Sequence, residues 1–328
     1  MLRSISDSSG SEPTVREPMR RPRRRPPIRL RETAVEWLAR RKRGYRLFQK
    51  LGRLYRVQDI RVAGDYGPVE GALDDSGVLQ VYARSGGWAR TATRFFQEIF
   101  ESAGGGSYLD IGANIGLMTI PIADNPRVAC KAFEPAPRNF AYLERNIRAN
   151  CPHGNVELFP LALFDRQTTV DFALSLENSG DNRIRLDRLT SDGDQAVKAI
   201  VRVPANRLDD VLDATSLRRP LVVKLIAQGA EGRIIAGGAR VLGEAEALLL
   251  EFDPGLILAL DSGIDAIVTF LREHFRTAAL VEGRVSETAT VDQPLLWRPV
   301  SEVIADLRTR VRDARAPGLA YAFLYARR

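Results

Sequence analysis

The chain has little of what metal centres and disulfide frameworks require. Its 328 residues include two cysteines, Cys130 and Cys151, and two histidines, His153 and His274. Two thiols build neither a multi-bridge scaffold nor a paired-cysteine zinc site, so no metal ligand set is expected and the setting reads as reducing and cytoplasmic. Apolar runs of about eighteen residues are missing too, because Gly, Pro or charge breaks each candidate; no membrane-spanning helix is expected. Met1 is followed by Ser, Asp and Glu rather than by a basic stretch and an apolar core, so no secretory leader is expected. What is present is ordinary for a globular chain, at 45% hydrophobic and 27% charged residues, which excludes disorder throughout.

The net charge of +7 is unevenly spread. Residues 1–60 hold 17 Lys/Arg against 6 Asp/Glu, leaving the other 268 residues mildly acidic at −4. The basic character therefore belongs to an appendage, which argues against a nucleic-acid binder throughout. Residues 1–28 carry five prolines and the run Arg20-Arg21-Pro22-Arg23-Arg24-Arg25, the composition of a disordered basic arm. Residues 29–60 form a basic amphipathic helical segment, which Gly44 is expected to break in two. Its stripe of Leu47, Phe48, Leu51, Leu54 and Tyr55 is expected to pack on the main domain, with Arg46, Lys50, Arg53 and Arg56 mostly on the other face. Docking of this helix to an anionic membrane surface or a nucleic acid is the rival reading, and the basic arm offers an anionic surface contact of its own.

Residues 61–106 read as a small mixed lead-in, with Phe95, Phe96, Ile99 and Phe100 on one helix face. From 107 to 328 strand-like and helical runs alternate, the mark of a doubly wound, mostly parallel α/β sheet with helices on both faces. Strands are expected at Ser107–Ile111, Arg127–Phe133, Val156–Phe159 with Leu161–Phe164, Leu221–Ile226, Ala247–Phe252, Thr277–Val281 and Ala320–Tyr325. Helices are expected from Asn114, where Pro121 implies a kink or early end, over Ala136–Asn150, and near Ile264–Phe275.

In such a sheet ligands bind outside the carboxyl ends of the strands. The first of those ends is Asp110-Ile111-Gly112-Ala113-Asn114-Ile115-Gly116, where Gly112 and Gly116 permit a sharp turn and close approach. The second is Glu134-Pro135, an acid about twenty residues on, suited to a ribose diol. Asp110 would repel a pyrophosphate and attract an ammonium. S-adenosylmethionine offers an ammonium, a sulfonium and a ribose without phosphate, and fits this acid–glycine–acid arrangement better than a dinucleotide does.

Tyr108-Leu109-Asp110-Ile111-Gly112-Ala113-Asn114-Ile115-Gly116-Leu117 resembles the first motif of FkbM-type methyltransferases. Ala132-Phe133-Glu134-Pro135-Ala136-Pro137, with Asn146 and Asn150 beyond, resembles their second motif, and Ala162-Leu163-Phe164-Asp165 their third. Asn206-Arg207-Leu208-Asp209-Asp210 resembles the element before their fourth strand. The resemblance implies a Rossmann-like class I sheet and S-adenosylmethionine as cofactor, held by Asp110, Gly112, Ala113, Asn114, Gly116, Glu134, Pro135, Leu163 and Asp165. It also implies methyl transfer to a hydroxyl of a small molecule or glycan.

One departure bears on activity. Where the family has Lys-Ile-Asp-Val-Glu-Gly-Ala-Glu, this chain has Lys224-Leu225-Ile226-Ala227-Gln228-Gly229-Ala230-Glu231, so Ile226 and Gln228 replace two acids. Lys224 and Glu231 are then the candidate catalytic residues, with Glu251 and Asp253 as further acids at the same edge. Helix-dipole complement is the competing role for Glu231. Both histidines and Cys151 fall in amino-edge loops, away from the site. Two readings follow: a working methyltransferase, or a catalytically lapsed cofactor-binding scaffold. A nucleic-acid methyltransferase draws support only from the arm, because no Asn-Pro-Pro-Tyr or Pro-Cys motif occurs.

Overall fold

Leu221-Val222-Val223-Lys224-Leu225 and Gly106-Ser107-Tyr108-Leu109-Asp110-Ile111 lack an outward polar alternation, the pattern of strands covered on both faces. In the computed structural model, which describes residues 42–175, 177–185, 197–282, 293–313 and 321–328, both segments are buried throughout, at the centre of an eight-stranded sheet. The arm at 1–28 and the stretch 29–41 lie outside the described residues.

The described chain enters through α1 (Lys42–Leu54), the hairpin of β1 (Asp59–Gly64) and β2 (Gly67–Ala72), then α2 (Leu79–Ser85) and α3 (Arg90–Ala103). The first half of the sheet is β3 (Gly106–Ile111), α4 (Thr119–Ala123), β4 (Val128–Phe133), α5 (Pro137–Asn150) and β5 (Val156–Phe159). A separate four-stranded sheet follows: β6 (Ala162–Leu163), β7 (Thr168–Ser175), β8 (Arg183–Arg185) and β9 (Val197–Asn206). The second half runs through α6 (Leu208–Val211), β10 (Leu221–Leu225), α7 (Glu231–Gly237), α8 (Ala239–Leu242), β11 (Ala245–Phe252), α9 (Pro254–Ala259) and α10 (Ile264–His274). It closes with β12 (Thr277–Glu282), β13 (Arg298–Pro299), α11 (Val300–Arg312) and β14 (Ala322–Arg327).

The large sheet has the order β13-β12-β14-β11-β10-β3-β4-β5. Strands β5, β4, β3, β10 and β11 are parallel, and β14 inserts antiparallel between β11 and β12. The winding direction reverses between β3 and β10, which opens a crevice beyond their carboxyl ends. Alternate residues of these strands feed two cores. Tyr108 and Val222 join Phe96, Phe100 and Leu143 on one face. Leu109, Ile111, Val223 and Leu225 join Ile234, Ile267 and Leu307 on the other.

Several elements differ from the sequence pattern. The helix expected from Asn114 begins only at Thr119, so Pro121 is its third residue and its missing N–H breaks no bond within the helix. No kink results. The expected third strand splits at Pro160, with β5 in the large sheet and β6 in the small one. Residues 168–206, for which the pattern predicts no element, supply β7, β8 and β9.

The packing of α1 is the reverse of the expectation. Gly44 lies inside a continuous helix, and the face turned to the body carries Tyr45, Gln49 and Gly52. Tyr45 is fully buried, and Gln49 Nε2 donates to the Leu73 carbonyl at 3.0 Å. Leu47, Leu51, Leu54 and Tyr55 stay exposed, because they lie on the side opposite that contact. The Phe48 side chain is outside the described set.

The lead-in shares a core with the sheet. Asn146 of α5 fastens it, accepting from the Glu70 N–H at 2.7 Å and donating to the Glu70 and Ile115 carbonyls, each at 2.9 Å. Replacing Asn146 by Ala strands those buried backbone groups and should cost about 2–3 kcal/mol, read as a lowered urea midpoint with an unchanged slope.

Candidate functional site

The turn after β3 is shaped by a close crossing of the two central strand ends. Gly112 has φ 80°, and a Cβ there would stand 2.0 Å from the Ile226 carbonyl oxygen. No other residue type fits without moving the backbone. The Gly112 and Ala113 amides donate to the Phe133 carbonyl at 3.0 and 2.9 Å, which ties the turn to the end of β4. Asn114 then takes a left-handed φ of 54° and directs its amide at Glu134.

Glu134 is held from two sides. Its Oε2 accepts the Asn114 N–H at 2.8 Å and its Oε1 the Ala136 N–H at 2.9 Å. A carboxylate has about four lone-pair positions, so the side chain is fixed and still has two to offer the cleft. Burial pushes its pKa up to about 7, against the pull of those two amides and of the Lys224 charge.

These groups line a cleft of about 450 Å³. Of the expected cofactor residues, Gly112, Ala113, Asn114, Glu134, Pro135 and Leu163 line it, as does Lys224. Three others are placed elsewhere. Asp110 is fully buried behind the wall, where it accepts from Thr119 Oγ1 at 2.6 Å and pairs with Lys224 Nζ at 3.0 Å. Gly116, at φ 94°, supports packing, since a Cβ would meet Leu143 Cδ1 at 2.9 Å. Asp165 is engaged by Arg233 at 2.7 Å and Arg166 at 3.1 Å.

The far end of the cleft is formed by Lys224, Ile226, Gln228, Glu251 and Asp253. Lys224 Nζ donates to the Ile111 carbonyl at 3.2 Å and also to that of Gly112. Gln228, itself left-handed at φ 52°, donates from Nε2 to Glu251 Oε2 at 2.6 Å. Glu251 is buried, and desolvation, with Glu231 and Asp253 nearby, holds its carboxyl well above the usual range. Glu231 does not line the cleft. Its Oε1 accepts the Ala227 N–H at 2.8 Å at the start of α7, so its surroundings assign it to the turn that carries Gln228. Burial raises its pKa to about 7. The exposed His153 and the His274 ring, 5.0 Å from Phe270, sit at the amino edge as expected. Among the described residues no cluster of three His, Cys, Asp or Glu side chains could hold a metal.

One part of the site carries no sequence signal of its role. Ser179, between β7 and β8, donates from Oγ to Asp75 Oδ2 at 2.6 Å and contacts Asn114 Oδ1 at 3.2 Å. Asn114 Nδ2 returns a bond to the Ser179 carbonyl at 3.0 Å. Asp75, buried and raised in pKa by that burial, also accepts from the Gly77 and Val78 amides. This network folds the small sheet and the lead-in over the glycine turn. The run Asn178-Ser179-Gly180-Asp181-Asn182 marks a turn in the sequence but names no partner.

The strand order, with one antiparallel strand between the fifth and sixth parallel positions, now has its ligand cleft. The large sheet is Rossmann-like: mostly parallel and doubly wound, with helices packed on it. No family profile matches the chain. It is 28% identical to the AMB antimetabolite synthetase AmbE of Pseudomonas aeruginosa, over 53% of this chain and 10% of that protein. It is also 28% identical to the 2-O-methyltransferase NoeI of Sinorhizobium fredii, over 44% of this chain and 62% of that one. The chain thus matches less than two thirds of the length of either relative. Among solved structures it is similar to the methyltransferase FkbM of Methylobacillus flagellatus, at 14% identity and TM-score 0.40 over 89% of this chain and 60% of that one. M. jannaschii TYW2 in complex with AdoMet aligns at 12% identity and TM-score 0.38, over 82% of this chain and 85% of that one.

The Asp110–Lys224 pair yields a stability test. Asp110→Ala leaves a buried ammonium without its carboxylate and should cost about 3–5 kcal/mol in denaturant unfolding. The double change Asp110→Leu with Lys224→Met should cost clearly less, because it removes both charges together.

Proposed function

We propose that the chain is an S-adenosylmethionine-dependent methyltransferase acting on a hydroxyl oxygen of a small molecule or glycan. The observation that carries this reading is Glu134: a carboxylate immobilised by two amides, with lone pairs left for a ribose diol, beside a glycine turn. The close crossing of Gly112 and Ile226 leaves that turn, which lines the cleft, without a side chain at Gly112. Asp110 contributes indirectly, holding Lys224 against the turn carbonyls. When bound, the sulfonium supplies an activated methyl group for in-line transfer to an acceptor oxygen.

The chain's own groups then divide the work. Lys224, Gln228, Glu251 and Asp253 surround the position expected for the acceptor, and alignment there supplies much of the rate. Glu251 is the cleft carboxylate suited to take the hydroxyl proton, with Gln228 orienting it and Glu231 bracing the turn beneath. The replacement of a family acid by Gln228 also supports a second reading, a lapsed enzyme, because this amide occupies one Glu251 oxygen.

Calorimetry with S-adenosylhomocysteine tests the cofactor class. Binding is expected, and Glu134→Ala should weaken it by roughly ten- to a hundred-fold; tight NAD binding with none for this compound would refute the reading. Ribose hydroxyls donate to the ionised carboxylate, which is lost as pH falls below about 7. Affinity should therefore rise about tenfold from pH 6 to pH 8, and Glu134→Gln should flatten that dependence. Mass-shift screening of extracts with labelled cofactor separates the two readings. An active enzyme methylates an acceptor, with turnover climbing with pH as Glu251 ionises and lost in Glu251→Gln; a lapsed one binds and never turns over.

A further inference from the structure

Helix α1 is built inside out. Tyr45, Gln49 and Gly52, one helical turn apart, are its docked face, with Gly52 lying flat against Leu73. Leu47, Leu51, Leu54 and Tyr55 fall on the opposite side and are 47–74% exposed. They are four of the seven exposed large hydrophobic side chains among the described residues, so the apolar exposure is concentrated rather than scattered. From Lys42 to Arg56 the segment carries six basic residues and no acidic one. Arg46, Lys50 and Arg53 run along the flank between the docked and apolar faces.

A second observation lies at the end of the helix. Arg53 and Arg56 join Arg138 and Lys198 around a concavity of about 430 Å³, with Asp74 in its wall. Asp74 pairs with Lys198 at 2.9 Å and Arg138 at 3.6 Å, and Arg138 also reaches Asp59. Arg53 and Arg56 make no ion pair or side-chain hydrogen bond among the described residues. Two uncommitted guanidinium groups thus stand beside an outward apolar stripe. An apolar face flanked by cations matches a bilayer surface with anionic headgroups. A second copy of the same helix would bring six positive charges against six, and a nucleic acid has no use for the leucines.

We propose that α1 anchors the protein on anionic membrane surfaces, sinking Leu47, Leu51, Leu54 and Tyr55 among the acyl chains and setting Arg53 and Arg56 on lipid phosphates. This is independent of the methyl-transfer reading. The test is sedimentation of the full chain with phosphatidylcholine vesicles, with and without phosphatidylglycerol at about one lipid in three. The full chain should pellet with the anionic vesicles and stay in solution with the neutral ones. Leu51→Glu with Leu54→Glu, and separately Arg53→Glu with Arg56→Glu, should each lower partitioning at least about tenfold. Both pairs are exposed, so unchanged thermal unfolding would show that lost binding is not lost folding. Variants that bind like the parent, or equal binding to neutral vesicles, would overturn the proposal. So would a dimer, or binding to a DNA or RNA oligonucleotide, abolished by these substitutions in a protein that ignores vesicles.

Discussion

The buried pair between Asp110 and Lys224 is the constraint on which the site depends. The two residues are register partners on adjacent central strands, one at the end of each half of the doubly wound sheet. Charges so far from water persist only when paired and hydrogen-bonded, and here Thr119 and the turn carbonyls complete the set. The pair therefore fixes where both strands end. The glycine turn and the Gln228 turn start from those strand ends, and the Phe133 carbonyl ties the first of them to the end of β4, where Glu134 stands.

Around this pair the fold adds a lid from distant sequence. Asp75 belongs to the lead-in and Ser179 lies between strands of the inserted sheet, 104 residues apart, yet they bond to each other and Ser179 closes on Asn114 of the glycine turn. The lead-in is thus part of the site as well as of one core face. The same region joins the site to α1, since Leu73 receives the helix and its neighbour Asp74 balances the basic concavity.

Burial and hydrogen bonding are in tension at the cleft. Glu134 and Glu251 both lie where desolvation disfavours their charge, and they differ in how they are compensated. Two backbone amides and the Lys224 charge restrain Glu134 to about 7, so it can ionise near neutrality. Glu251 has one amide side chain and the acids Glu231, Asp253 and Asp181 nearby, and desolvation with those charges raises its pKa against the pull of Lys224.

The sequence alone determined the sheet and the first two strand ends that line the cleft, because buried parallel strands need continuous apolar runs and a tight turn needs glycine. Gly112, Asn114 and Glu134 were legible for that reason: each acts through its own backbone or within one strand end. The tertiary structure alone decided what each charge faces. Asp110 and Glu231 read as site acids by position, yet one is spent on Lys224 and the other on the Ala227 amide. The β7–β9 sheet and the Asp75–Ser179 clasp left no periodic trace, since their partners lie far along the chain. Helix α1 shows the limit most plainly. Periodicity located its apolar face, but only the fit of Tyr45 and Gly52 against the Leu73 region decided that this face points outward.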